Sequence, residues 1–122
     1  MTNVKAFMES VLAGPRDMTR VRQIGFLMFP DAELLDVCGP MNAFVFADHW
    51  LRGAGRFNEP GYEVQVIAAT AGLVKTQCGM QVMATHGCDD ASDTLDTLIV
   101  SGGYGVERAC ADPKLVDWLK SG

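Results

Sequence analysis

An α/β fold built on a mainly parallel sheet is the class that this sequence predicts. Three short apolar runs, RQIGFLMF (22–29), YEVQVIAA (62–69) and TLIV (97–100), have the length and the boundaries of buried strands. Segments with helical spacing or helix-start signals follow the first and the third run. Because strands that alternate with helices form parallel sheets covered by those helices, this order of segments predicts the fold class.

The first run ends at Pro30, and its short length favours a buried strand over a helix. Pro40 suits the first position of a helix, where its missing N–H costs little. We therefore expect a helix that begins at Pro40 and is followed by a glycine- and proline-rich loop over 52–61. The apolar face of this helix contains the residues at helical spacing: Met41, Phe44, Val45 and Leu51.

The second half of the chain contains two further strands and a short hairpin. The run over 62–69 predicts a strand, and two β-like runs around Gly79 within 72–87 predict a hairpin. Thr97–Val100 predicts a third buried strand, which leads into glycines. Asp112 is a good N-cap and Pro113 a good first helical residue, so a helix is expected over 113–120, with an apolar face of Leu115, Val116 and Leu119.

Composition and charge limit the classes of function. The chain has 122 residues and a net charge of −5, which predicts one acidic domain without a basic surface for nucleic acid. No apolar run reaches the length of a transmembrane helix, so we expect no membrane association and a cytoplasmic location. Glu9 interrupts the apolar N-terminal stretch, and we interpret residues 1–21 as an N-terminal extension rather than a signal peptide, with the domain over 22–122.

The cysteines do not predict a metal site or a cofactor. The four are Cys38, Cys78, Cys88 and Cys110. They form no CxxC pair and no metal-ligand spacing with the two histidines. We expect free thiols that are mostly buried, above all Cys38 and Cys110, whereas Cys78 and Cys88 could face each other across the hairpin.

Two loops at the carboxyl ends of predicted strands are the candidate site, because ligands of parallel sheets bind at that edge. One loop contains the isolated carboxylate of Asp36 in LLDVCGP, and the other is VSGGYG (100–105). The candidate ligand-pocket residues are Asp36, Ser101, Gly102, Gly103 and Tyr104. The glycines either let backbone N–H groups approach a ligand or form a tight turn without one, and the spacing favours neither. Glu33 is expected to be solvated.

Three stretches resemble one superfamily: IGFLMFPDAELLDVCGPMNAF, YEVQVIAATAGLVKTQCGMQV and DTLIVSGGYGVERACADPKLVDWL. It is the PfpI-type superfamily, with the flavodoxin-like, class I glutamine amidotransferase-like three-layer sandwich. Within it, the chain resembles the N-terminal sensor domain of AraC-type transcriptional regulators, and isonitrile hydratases share the same opening pattern. The resemblance covers about residues 23–120.

The resemblance implies roles for the candidate residues. In catalytic relatives, the acid that matches Asp36 faces a cysteine on a nucleophile elbow, and the glycines that match Gly102 and Gly103 supply backbone N–H groups nearby. That elbow would follow the helix at 113–120, so we expect the domain to be incomplete at its C-terminus and to have no catalytic residue or enzymatic activity.

The resemblance also implies partners. We expect a ligand-sensing or oligomerisation domain of an AraC-type regulator, with a small-molecule effector, a homodimer, and DNA contacts only through an absent C-terminal helix-turn-helix region. We expect the chain to dimerise through the uncovered edge of Thr97–Val100 or through the Met41–Leu51 helix, or else to aggregate. The alternative is a fragment of an isonitrile-hydratase-like or other PfpI-type cysteine enzyme.

Overall fold

The computed structural model describes residues 20–55 and 61–122. Within these residues the elements are, in chain order, β1 (Arg22–Leu27), α1 (Leu35–Gly53), β2 (Tyr62–Ala68), β3 (Gly72–Lys75), β4 (Gln81–Ala84), β5 (His86–Gly87), β6 (Thr97–Val100), α2 (Val106–Cys110) and α3 (Pro113–Ser121). Most of the extension expected over 1–21 and half of the loop expected over 52–61 lie outside the described residues.

The central sheet is parallel and has the strand order β5-β2-β1-β6, while β3 and β4 form a separate antiparallel hairpin. The predicted α/β class is confirmed. In the register of the sheet, Leu27 of β1 lies opposite Ile67 of β2 and Val100 of β6. The loops that follow β1 and β6 therefore emerge side by side at the same edge of the sheet.

Helices cover both faces of β1. Successive residues of a strand point to opposite faces of the sheet. On one face, the buried Phe26 ring packs edge-on against Phe44 of α1, with ring centroids 6.5 Å apart. On the other face, the buried Leu27 lines a cavity together with Leu115 of α3. This arrangement is the three-layer sandwich that the resemblance implied.

Helix α1 begins at Leu35, and the prediction that it begins at Pro40 is wrong. Proline inside a helix removes one backbone hydrogen bond, to the carbonyl four residues earlier, which here belongs to Asp36. The helix nevertheless includes the turn before the proline, because Val37 is only 2% exposed and its spacing continues the apolar stripe that contains Met41. The burial of the Val37 side chain favours this extra turn despite the lost hydrogen bond. As a result, Asp36 lies within a helical turn rather than in a loop.

The thiols are more exposed than the sequence predicts. Of the four cysteines, only Cys88 is buried, so the expectation of burial is wrong for Cys38 and Cys110. All four are free; Cys78 lies in the turn between β3 and β4, whereas Cys88 follows β5, so the two do not face each other across the hairpin. Among residues 20–55 and 61–122, no helix combines the length and the apolar character needed to cross a bilayer.

Candidate functional site

Asp36 lies in the first turn of α1, and its carboxylate reaches the turn after β6. Its Oδ2 accepts a hydrogen bond from the Gly102 N–H at 2.7 Å, across 66 residues of sequence. A negative charge in the first turn of a helix is also favourably placed in the field of the helix dipole. Two parts of the chain that the sequence marks separately therefore meet in one contact.

The glycine-rich turn after β6 packs directly on the loop after β1. Gly103 has a positive φ of 111°, and a Cβ there would lie 2.5 Å from the backbone nitrogen of Glu33. A Cβ at Gly105 would lie 1.9 Å from the carbonyl oxygen of Pro30. Of the two interpretations that the sequence leaves open, the tight turn therefore accounts for Gly103 and Gly105.

Most backbone N–H groups of this turn donate within the protein. The amides of Gly102, Tyr104 and Gly105 have acceptors on other elements, respectively Asp36 Oδ2, Gln77 Oε1 and the Asp31 carbonyl oxygen. The Gly103 N–H has no acceptor among the residues that the structure describes. It is therefore an unpaired backbone donor of this turn.

Gln77, in the turn of the β3–β4 hairpin, joins three loops. Its Oε1 accepts from the Tyr104 N–H at 2.9 Å, and its Nε2 donates to the Glu33 carboxylate. Its own backbone N–H donates to the Ala32 carbonyl at 2.9 Å. The sequence gives no signal for this role, because a single amide side chain in a hairpin turn is common on solvated surfaces.

Glu33 is half-buried rather than solvated, so that expectation is wrong. Its carboxylate accepts hydrogen bonds from the Gln77 side-chain amide and, at 3.3 Å, from the Leu35 N–H. Its backbone N–H donates to the Gly102 carbonyl at 2.9 Å. Glu33 therefore connects the start of α1, the hairpin and the glycine-rich turn.

Asp31 connects the loop after β1 to α2. It has a positive φ of 62°, which aspartate tolerates better than most residues. Its carbonyl accepts from the Gly105 N–H at 3.1 Å, and its carboxylate accepts from the Arg108 guanidinium at 2.9 Å. Its N–H donates to the Lys75 carbonyl at 2.8 Å. The loop after β1 is thus held by backbone contacts from two sides.

Ser101 and Tyr104 do not join Asp36. The Tyr104 side chain is 85% exposed. Ser101 is 4% exposed, and its Oγ has no hydrogen-bond partner in the part of the chain that the structure describes. It lines an apolar cavity beside α2 and α3 rather than a space that includes Asp36. The five candidate residues therefore divide into Asp36, Gly102 and Gly103 at one site, with Ser101 and Tyr104 elsewhere.

Cys78 adjoins the site through its neighbour Gln77. The hydrogen bond with the Thr76 hydroxyl, at 3.3 Å, and the backbone N–H of Met80 lower the pKa of this exposed thiol below its ordinary value. Burial has the opposite effect on Cys88, whose pKa it raises. The described residues contain no group of three histidine, cysteine, aspartate or glutamate side chains arranged to hold a metal ion.

Comparison with known proteins identifies relatives that are longer than this chain. The model of the DJ-1/PfpI family matches residues 22–122. Isonitrile hydratase from Pseudomonas putida is 28% identical over 99 residues, which are 81% of this chain and 38% of that enzyme. The chain therefore spans well under half of the length of this curated relative.

Several solved structures have a similar fold. A ThiJ/PfpI family protein from Pseudomonas syringae is 21% identical, with a TM-score of 0.64 over 82% of this chain and 37% of its own. A proposed transcriptional regulator from Vibrio parahaemolyticus is 17% identical, with a TM-score of 0.64. The match covers 83% of this chain and 50% of the regulator. An AraC family transcriptional regulator from Pseudomonas putida is 16% identical, with a TM-score of 0.50. The match covers 74% of this chain and 58% of the regulator. At these identities the likeness shows the fold.

Proposed function

The chain belongs to the DJ-1/PfpI family, and within that family we propose that it is the ligand-sensing and dimerisation domain of an AraC-type transcriptional regulator. In this proposal a small-molecule effector binds at the site of Asp36, Gly102 and Gly103. DNA is contacted by a helix-turn-helix region outside these 122 residues, in keeping with the net charge of −5.

The observation that carries the proposal is the Asp36–Gly102 hydrogen bond. A carboxylate that activates a nucleophile must lie within hydrogen-bonding reach of it or of its base. Here one carboxylate oxygen of Asp36, Oδ2, accepts a hydrogen bond from the Gly102 N–H at 2.7 Å and is held in place by it. Within the described residues, neither turn that joins a parallel strand to a helix, 28–34 or 101–105, contains a cysteine. These fixed polar groups are suited to recognising a ligand, which supports the sensing role.

The groups that remain available define the kind of effector. Asp36 uses Oδ2 for Gly102, and its Oδ1 has no hydrogen-bond donor among the described residues. The Gly103 N–H likewise lacks an acceptor there. One acceptor, on the residue that binds Gly102, and one donor, on the residue after Gly102, match the N–H and the carbonyl of a small amide. A small amide or a related amine is therefore the effector class that we propose.

Ligand-observed NMR on the purified chain tests this proposal. Small primary and secondary amides should bind to the wild-type chain, and Asp36→Asn should weaken binding, because the variant loses a charged acceptor. Asp117→Asn is the matched control, since Asp117 lies exposed on α3. If no member of an amide and amine panel binds, or if both variants bind alike, the proposed site is wrong.

The alternative function is that of a PfpI-type cysteine enzyme of which this chain is a part. The curated relative that favours it is an isonitrile hydratase. Turnover separates the two functions when it is measured on the full gene product: supplied with an isonitrile, that protein would accumulate the N-substituted formamide if the alternative holds. The regulator proposal expects the isonitrile to remain unchanged.

A further inference from the structure

Gly103 is the point at which the turn after β6 has the most conformational freedom. Its φ of 111° lies in a region that glycine, having no Cβ, enters at little cost. Its N–H is also the unpaired donor of the effector site proposed above. The direction of that N–H depends on the two peptide units that meet at Gly103, and the structure holds each of them by a contact from outside the turn.

Glu33 holds the first of these peptide units, which joins Gly102 to Gly103. The Gly102 carbonyl accepts a hydrogen bond from the Glu33 N–H at 2.9 Å. In a planar trans peptide the N–H and C=O bonds point in opposite directions. The Gly103 N–H therefore points away from the Glu33 backbone.

Gln77 holds the second peptide unit, which joins Gly103 to Tyr104. Its side-chain Oε1 accepts from the Tyr104 N–H at 2.9 Å, and its Nε2 donates to the Glu33 carboxylate. Among the described residues, the other hydrogen bond of this peptide unit is longer: the Gly103 carbonyl accepts from the Val106 N–H at 3.3 Å. Gln77 thus supplies the shorter of the two contacts that fix this side of the glycine.

The chemistry of this contact requires an amide side chain. One end of the side chain must donate to a carboxylate and also accept from a backbone N–H. An amide can do both, whereas a carboxylate has acceptors alone and an ammonium group has donors alone. Both Glu33 carboxylate oxygens act as acceptors, one for Gln77 and one for the Leu35 N–H. The reversed orientation of the Gln77 amide would therefore place oxygen against oxygen.

The hairpin turn supports this amide on a well-held backbone. Thr76, the preceding residue, is fully buried, and its N–H and its hydroxyl both donate to the Met80 carbonyl, at 2.9 and 2.6 Å. The Gln77 N–H donates to the Ala32 carbonyl at 2.9 Å. The turn is therefore closed by its own hydrogen bonds and attached to the loop after β1.

We propose that Gln77 is a positioning residue of the effector site: it fixes the Gly103–Tyr104 peptide unit to Glu33 and so holds the Gly103 N–H in one direction. The recognition site then consists of three elements, the first turn of α1, the turn after β6 and the tip of the β3–β4 hairpin. This inference rests on the proposed function for the use of the site, but the ordering of the turn by Gln77 is tested on the ligand-free chain.

Backbone amide relaxation measured by NMR on the ligand-free chain tests this ordering, with Gln77→Glu as the main variant. At about pH 7.5 two carboxylates then face each other, and the order parameters of the Gly103 and Tyr104 N–H bonds should fall from about 0.85 to below about 0.6. One proton shared between the two carboxylates restores the contact, so both order parameters should recover as the pH is lowered to about 5.

Two comparison variants make the test specific. Gln81→Glu is the matched control, because it places the same charge at an exposed glutamine of the same hairpin, and it should change neither order parameter. Gln77→Met keeps the length of the side chain without the amide, so its turn should stay mobile at both pH values. The wild-type chain, measured at each pH, corrects for the titration of ionisable neighbours, namely Asp31 with its partner Arg108, Asp36 and Cys78.

The affinity for N-methylacetamide then shows whether the ordered turn serves recognition. A contact that only stabilises the fold would lower the urea midpoint of Gln77→Glu and leave the affinity of the folded chain unchanged. Positioning predicts about fivefold weaker binding at about pH 7.5, the equivalent of one hydrogen bond, and wild-type affinity at about pH 5.

Two results would overturn the proposal. The first is that the order parameters of both N–H bonds stay unchanged in Gln77→Glu at the higher pH, or fall equally in Gln81→Glu. The second is an affinity for N-methylacetamide that stays at the wild-type value although the turn has become mobile. If N-methylacetamide binds no chain while the order parameters change as predicted, the proposed effector class is wrong and the ordering of the turn by Gln77 is supported.

Discussion

Replacing Gly103 by alanine decides why the turn after β6 is rich in glycine. At φ 111° an alanine is strained by roughly 1–2 kcal/mol. Its Cβ would also lie 2.5 Å from the Glu33 nitrogen and 2.9 Å from both the Ala32 carbonyl carbon and the Asp31 oxygen. These contacts are with backbone, which cannot rotate away, and overpacking of this kind costs about 1–3 kcal/mol. The expected loss is therefore about 2–5 kcal/mol.

Such a loss is a large part of the roughly 5–15 kcal/mol that stabilises a domain. The assay is urea unfolding followed by circular dichroism, without any ligand. Gly53→Ala is the matched control: Gly53 ends α1, and a Cβ there meets nothing within 4 Å. Both changes restrict the unfolded chain equally, so their difference reports the folded state. Alanine at position 53 should be neutral or stabilising by up to about 1 kcal/mol.

The outcome separates the two interpretations of the turn. If Gly103 is required for packing, the ligand-free Gly103→Ala variant unfolds at much lower urea than Gly53→Ala. If the glycine instead serves only the approach of a ligand, the two variants will differ by no more than the roughly 1–3 kcal/mol that φ strain at position 103 and helix propensity at position 53 explain, and the packing argument is refuted.

Three further predictions concern the thiols, the pH dependence and the sheet edge. Alkylation by iodoacetamide at neutral pH should modify Cys78 before Cys88, because one thiol is exposed with a lowered pKa and the other is buried with a raised pKa; peptide mass spectrometry that finds the reverse order would contradict this. Hydrogen bonds from Arg20 lower the pKa of Asp96 in the folded protein. The stability that this contact adds to the fold is therefore present above the pKa that Asp96 has in the unfolded chain, and it is lost as the pH falls through the folded-state pKa of Asp96. Asp96→Asn should therefore unfold earlier than the wild-type chain at neutral pH and equally in acid, whereas equal urea midpoints at neutral pH would be evidence against the contact. In the described residues β6 pairs with β1 alone, and Val100 is 49% exposed, so we predict a homodimer through this edge that Val100→Lys disrupts; light scattering that gives one mass for both chains would reject it.

The sheet could be predicted from the sequence because its strands are short apolar runs with sharp ends. Thr97–Val100 is observed as predicted, and the strand over 62–69 differs by one residue at its end. The start of α1 was predicted wrongly because the preference of proline for the first helical position was weighed without the burial of Val37. β5 is two residues long, His86–Gly87, and depends on β2 for pairing, so no local pattern marks it.

The candidate site was predicted in part. Asp36 and Gly102 stand out because a lone carboxylate in an apolar run and a glycine pair after a strand are both unusual, and the parallel sheet brings them together. Glu33 and Gln77 do not stand out, since the contact between them joins residues 44 apart. Ser101 was grouped with Asp36 because the two loops share an edge, but adjacent residues of an extended chain point in opposite directions.

The most direct test of the central claim, that Asp36 organises a recognition site and not a catalytic one, is a turnover measurement. The purified chain is incubated with an excess of an isonitrile, and formation of the N-substituted formamide is followed by NMR, alongside Asp36→Asn and a variant in which all four cysteines are replaced by serine. The account predicts no formamide above the protein-free rate in any of the samples. Multiple turnovers by the wild-type chain that Asp36→Asn abolishes would contradict it, and their survival in the cysteine-free variant would place the chemistry on a group other than a thiol.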